Sequence, residues 1–212
     1  MITWQTPLVK TQHDASIPVR QAMKAIALRM VGIEAGRTET RSLFEDILGP
    51  PRGGWNIGKP YGKGGPSTCS MVAMYAVRCL AVDDKAVMGP YKVATGIGVL
   101  RTYAQRLRPV AWVTPGKGKR PGIGDIIDTL APRAVSNHSE IVIGWDGDIM
   151  RCVAGGQVGM SGLQAIHETR RLWVDGARPT SSGAVVQGWV DIEKLRYRGV
   201  FVVPEGWDSM TK

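Results

Sequence analysis

The hydrophobic period of this chain changes near Ala111, and that change restricts the folds open to it. Before it, apolar residues recur at helical spacing. After Ser16-Ile17-Pro18, which offers a capping hydroxyl and a first-turn proline, Val19, Ala22, Met23, Ile26, Ala27 and Met30 form one stripe, and Gly36 is a natural stop. A short second helix is expected from Glu39 to Leu48, with Leu43, Phe44, Ile47 and Leu48 on one face, until Gly49-Pro50-Pro51 breaks it. A third begins near Cys69, capped by Ser67 or Thr68, and turns Val72, Tyr75, Ala76, Cys79 and Leu80 inward as far as Asp83-Asp84. A fourth fits Thr95 to Leu107, with Val99, Leu100, Tyr103 and Ala104 inward. From Ala111 onward, short apolar runs alternate with turns, as antiparallel strands do. Strands are expected at Ala111 to Val113, Gly124 to Asp128, His138 to Ile143, Ile149 to Val153, Glu168 to Val174, Ala184 to Val190 and Gly199 to Val203. The turn Trp145-Asp146-Gly147-Asp148 makes a hairpin of the third and fourth. Helices first and strands after define an α+β class, with N-terminal helices packed on an antiparallel sheet.

With 212 residues and 43% hydrophobic content, one core suffices and nothing requires a second. The expectation is a single domain over residues 1–212, divided into a helical part at 1–54 and a core at 55–203. No run approaches the roughly 18 apolar residues of a membrane span. The opening Met1-Ile2-Thr3-Trp4-Gln5 lacks the basic-then-apolar pattern of a secretory signal, so synthesis in the cytoplasm without a cleaved signal is expected. Cys69, Cys79 and Cys152 are too few and too scattered for a disulfide framework, and reduced thiols are expected. No His, Asp or Glu cluster has metal spacing, and neither metal nor cofactor is expected. A net charge of +9 points to an anionic partner or to solubility. The basic residues are dispersed, with one compact cluster at Lys117-Gly118-Lys119-Arg120, and no nucleic-acid-binding motif accompanies them. The glycines at Gly62 to Gly65 lack the Lys-Ser/Thr ending of a phosphate loop.

The chemistry-bearing feature is Gly64-Gly65-Pro66-Ser67-Thr68-Cys69, a thiol at a helix start, followed 69 residues later by His138, which opens an apolar strand. A thiol attacks as thiolate, and a helix N-terminus with a neighbouring imidazolium lowers a free cysteine pKa of about 8.5 to roughly 3.5–7.5. Cys69 is the candidate nucleophile, and the backbone N–H groups of Cys69 and Ser70 are candidates for holding an oxyanion. His138 is the candidate base and general acid, whereas His13 and His167 read as surface histidines. Cys79 and Cys152 read as core. A third group should fix the imidazole tautomer. Gln157, with its side-chain carbonyl as acceptor, is the choice, beside Arg151, Cys152 and Asn137, because the stretch after Asp148 holds no carboxylate. Tyr61 lines the approach to the nucleophile as a candidate substrate contact or as a packed ring.

These residues resemble the NlpC/P60 and CHAP superfamily of papain-like cysteine hydrolases. Pro60-Tyr61-Gly62-Lys63-Gly64-Gly65 is similar to the family's approach to its nucleophile, and Thr68-Cys69-Ser70-Met71-Val72 to its helix start. Gly124-Asp125-Ile126-Ile127 and His138 to Gly144 resemble its Pro-Gly-Asp strand and histidine hairpin. The chain departs at Thr68, Ile123 and Ser139-Glu140, where the family has an acid, a proline and Val-Gly, so it resembles a divergent member. Val153-Ala154-Gly155-Gly156-Gln157 is similar to a stretch in CHAP-like type VI secretion effectors. The resemblance implies a papain-like fold and a cysteine hydrolase cutting an amide bond in peptidoglycan, as stem-peptide endopeptidase or amidase, with Tyr61 and Ser70 at the substrate. It further implies an antibacterial toxin acting in a target-cell periplasm, with an immunity protein and a secretion apparatus as partners. Acyl transfer or deamidation of a protein, or a catalytically silent wall-binding or partner-binding module, are the alternatives on the same fold.

Overall fold

The computed structural model describes residues 18–36, 69–80, 97–130, 137–160, 162–173 and 184–195. The expected helix at 39–48, the expected strand at 199–203 and the loop bearing Tyr61 lie outside them. Within them the chain is α+β: three α-helices and an open six-stranded antiparallel sheet.

Helix α1 (Val19–Met30) starts on Pro18, whose φ of −57° suits a helix start and whose carbonyl accepts from the Gln21 and Ala22 N–H groups. It ends at Met30, short of the expected stop at Gly36, because Val31 is extended and Gly32 adopts φ 86°. The chain then runs as a short extended segment along the sheet, with Gly32 N–H donating to Ile166 O and Ala35 N–H to Gln164 O, each at 2.9 Å. Helix α2 (Cys69–Cys79) is apolar nearly all round and is buried between α1 and the sheet, with Met74, Ala76, Val77 and Leu80 inaccessible to solvent. Helix α3 (Ile97–Arg106) buries Leu100 and Ala104.

The strands are β1 (Trp112–Val113), β2 (Ile126–Leu130), β3 (His138–Asp146), β4 (Ile149–Val158), β5 (Gln164–Leu172) and β6 (Val185–Val190), in spatial order β1-β6-β2-β3-β4-β5. The β3–β4 hairpin closes through Gly147 at φ 59°, with Asp146 paired to Ile149. Strand β4 runs past the expected end at Val153 to Val158. An irregularity between Ala154 and Gln157 absorbs the glycines, Gly156 taking φ 69°. Strand β5 starts at Gln164 rather than Glu168, because β4 and the 32–35 segment flank that stretch.

Alternation along the strands gives each face its own apolar cluster. Ile126, Ile141, Ile143, Val153, Ile166 and Val190 meet the helices in the main core. On the opposite face Ile127, Val142, Met150, Cys152, Trp173, Val186 and Trp189 pack together. Trp173 meets Trp145 and Trp189 edge-on, at centroid distances of 5.8 and 6.1 Å.

One polar clasp ties α1 to the sheet. Arg20 donates to Ile123 O at 2.8 Å, to Asp125 Oδ1 at 2.7 Å and to Asp191 Oδ1 at 2.8 Å. Asp125 also accepts from Gly122 N–H at 2.7 Å and Ile192 N–H at 3.3 Å. Burial lifts the Asp125 pKa to about 6 against the pull of Arg20. Among the described residues no helix is long and apolar enough to cross a membrane.

Candidate active site

Cys69 is the first residue of α2, and its side chain is buried against the beginning of β3. Helix α2 packs on β3 and β4 through its apolar surface, so the thiol at its end faces the residues that lead into β3. Cys69 Sγ lies 3.9 Å from Asn137 O and 3.8 Å from Ser70 Oγ. Ser70 Oγ accepts in turn from Ser139 Oγ at 3.4 Å, so the hydroxyl expected at the substrate ties the helix start to the strand. Cys69 and Ser70 lie in the first turn of α2.

His138 is the first residue of β3, and its ring makes two polar contacts. One is a hydrogen bond with Cys69 and the other, at 2.9 Å, joins Nε2 to Glu140 Oε1. Burial works against a charged ring here, but the hydrogen bonds and negative charges of Cys69 and Glu140 outweigh it and lift the His138 pKa to about 9. Both partners thus favour the imidazolium form of the ring.

Glu140 corrects the sequence expectation for the third group. The amide of Gln157, the group expected from the sequence, donates to Gly155 O at 3.4 Å near the end of β4, and the His138 nitrogen meets Glu140 instead. The physical reason is strand alternation: residues two apart on β3 share a face, which sets His138 and Glu140 side by side. Arg151 does not take the role either, since it pairs with Glu168 at 2.8 Å. Cys152, expected in the core, is fully buried, and burial followed by the nearby Glu140 charge pushes its thiol pKa well up. Tyr61 lies outside the described residues.

The register of the sheet explains how a wholly buried carboxylate stays ionised. Strand β4 places Cys152 opposite Thr169 and Met150 opposite Arg171, so β5 delivers both side chains to the face on which Glu140 lies. Thr169 Oγ1 donates to Glu140 Oε2 at 3.3 Å. Arg171 Nε reaches Oε1 at 3.1 Å and Oε2 at 2.9 Å, and its Nη2 donates to Oε1. Burial alone would raise the Glu140 pKa, but Arg171 and then His138 reverse the sign and hold it at about 2. Glu140, Thr169 and Arg171 are members of the candidate site that sequence reasoning passed over. The signal available was a lone acid two positions after the histidine within an apolar run.

The arrangement places a thiol at a helix N-terminus, an imidazolium bonded to it, and a fixed carboxylate behind the ring. Such a set can generate a nucleophile, protonate a leaving group and hold the ring in one orientation. Among the described residues no group of three His, Cys, Asp or Glu side chains could hold a metal ion. Comparison with known proteins returned no family model, no curated protein and no solved structure that matches the chain.

The two pKa displacements give a signed pH dependence of stability. His138 is raised from 6.5 to about 9, so its contribution is complete below 6.5 and is lost as pH rises through about 9. Glu140 is depressed from 4.5 to about 2, so its contribution is complete above 4.5 and is lost as pH falls toward 2. Asp125, raised from 3.8, runs the other way and loses its contribution as pH climbs through about 6. The expected result is a melting temperature that declines from about pH 7 to about pH 10 in the wild type and is flatter in His138→Ala. Equal slopes in the two proteins would remove His138 from the alkaline transition.

Proposed function

We propose that this chain is a cysteine hydrolase with a papain-like fold of the NlpC/P60 or CHAP type, cutting an amide bond in peptidoglycan. The observation that carries the reading is the His138 ring, bonded to Cys69 on one side and to Glu140 on the other. The thiol-bearing helix, packed on an antiparallel sheet whose strand β3 begins at the histidine, supports the fold assignment.

In this reading the Cys69 sulfur attacks the amide carbonyl carbon, and N–H groups of the α2 first turn receive the oxyanion. His138 gives its proton to the amide nitrogen as the C–N bond breaks, leaving a thioester and a free amine. Water then loses a proton to His138 and attacks the thioester. The C–S bond breaks, the acid product leaves and the ion pair is restored. Glu140 keeps the ring oriented throughout.

Peptidoglycan, as stem peptide or as its amide link to sugar, enters through the family resemblance, and the net charge of +9 suits capture of an anionic polymer. The same resemblance supports an antibacterial effector acting in a target-cell periplasm, with an immunity protein in its producer. The test is digestion of purified peptidoglycan by the wild type, Cys69→Ala and His138→Ala, with mass spectrometry of released fragments. Fragments from the wild type alone are expected, and their masses identify the bond. Absence of fragments with folded wild-type protein would contradict the wall substrate and turn attention to acyl transfer or deamidation of a protein.

A further inference from the structure

A second buried acid lies beside the site, and the catalytic scheme does not use it. Asp128 on β2 is inaccessible to solvent. Its Oδ1 accepts from Asn137 Nδ2 at 2.7 Å and its Oδ2 from Arg101 Nη1 at 3.2 Å. Arg101, from α3, lies over the Trp112 ring of β1 at 5.6 Å from its centroid. The next residue, Thr129, donates through Oγ1 to His138 O at 3.2 Å and pairs with His138 in the β2–β3 ladder. Two consecutive residues of β2 therefore hold two consecutive residues at the start of β3. The first of those, Asn137, places its carbonyl 3.9 Å from the Cys69 sulfur, and the second carries the base.

The polar strut has no need to exist for packing. A wholly buried carboxylate is costly unless paired and hydrogen-bonded, and an apolar side chain would fill this strand position at less risk. A carboxylate here does what an apolar group cannot: it fixes the Asn137 amide in one orientation and thereby fixes the backbone from which the His138 ring reaches the thiol. At the start of a strand, where pairing is on one side only for the first residues, such a tie restricts fraying.

We infer that Asp128 is a positioning residue, which acts through Asn137, with Arg101 as its countercharge, to hold the backbone at His138 where the imidazole meets the Cys69 thiol. The inference rests on the Cys69–His138 reading and adds a second tier of residues to it. Loosening the tie lowers the fraction of molecules in which ring and thiol are in contact, so the thiol drifts toward the behaviour of a free cysteine.

The experiment is the rate of Cys69 alkylation by iodoacetamide as a function of pH, followed by peptide mass mapping, in the full chain. Four proteins are compared: wild type, His138→Ala, Asn137→Ala and Asp128→Asn, each checked for fold by circular dichroism. If wild type and His138→Ala give the same pH profile, the ion-pair reading fails and the inference falls with it. If they differ, Asn137→Ala is expected to alkylate about tenfold more slowly than wild type in mildly acid solution, with its profile moved to higher pH. Asp128→Asn, which keeps the shape and loses the charge, is expected to move in the same direction by less. A profile of Asn137→Ala and Asp128→Asn superimposable on wild type, whatever their melting temperatures, would assign the strut to folding alone and overturn the inference.

Discussion

In the proposed reaction, His138→Ala is expected to slow amide hydrolysis by about 10²–10⁴-fold, the range over which a positioned acid–base contributes to such chemistry. Cys69→Ala is expected to abolish it, since Cys69 is the thiol bonded to the His138 ring, whereas Cys79 and Cys152 pack in the apolar clusters. The two losses should not multiply in the double variant, because thiol and imidazole act as a unit. The measurement is product release under single-turnover conditions, with melting temperatures recorded alongside. A His138→Ala variant within threefold of wild type, or about that, would mean that the ring bonded to Cys69 takes no part in the chemistry.

Glu140→Ala carries the second large effect, on stability as well as turnover. The substitution strips the half-buried Arg171 guanidinium of its wholly buried carboxylate partner and frees the His138 ring. Breaking one partner of a buried pair costs about 3–5 kcal/mol. For a chain of this size that corresponds to a fall in melting temperature of about 6–20 °C. Removing both charges, in Glu140→Ala with Arg171→Met, should recover much of the stability, because the uncompensated cation is gone. It should not recover activity, since the ring still lacks its orienting acid. Thermal melts and turnover of the single and double variants separate the two roles. Activity restored in the double variant would reduce Glu140 to a charge-balancing part of the fold.

The division of the chain into helices and then strands was legible because it depends on local period. The stripe Ala22, Met23, Ile26, Ala27 and Met30 and the turn at Gly147 needed no distant partner to be read. The extension of β4 to Val158 and the early start of β5 were not legible, because Gly155-Gly156 reads as loop unless Ala165 is known to lie opposite Gln157. Cys69 and His138 stood out by residue type and position. Glu140 did not, since an acid within an apolar run has meaning only once Arg171, 31 residues on, is brought to it by the β3–β4–β5 register. Gln157 follows from expecting the third group after Asp148, in a stretch that holds no carboxylate. Asp128 was hidden for the same reason, as its partners Arg101 and Asn137 come from α3 and the start of β3.

The most direct test of the thiol–imidazole–carboxylate set is an NMR titration of the His138 ring in the wild type, Cys69→Ala and Glu140→Gln. A midpoint near 9 is expected in the wild type. Loss of either partner should bring it down, because each supplies a hydrogen bond and a negative charge that hold the proton on the ring. A wild-type midpoint near the ordinary histidine value of 6.5, unmoved by Cys69→Ala, would contradict an ion pair between these residues and with it the proposed nucleophile.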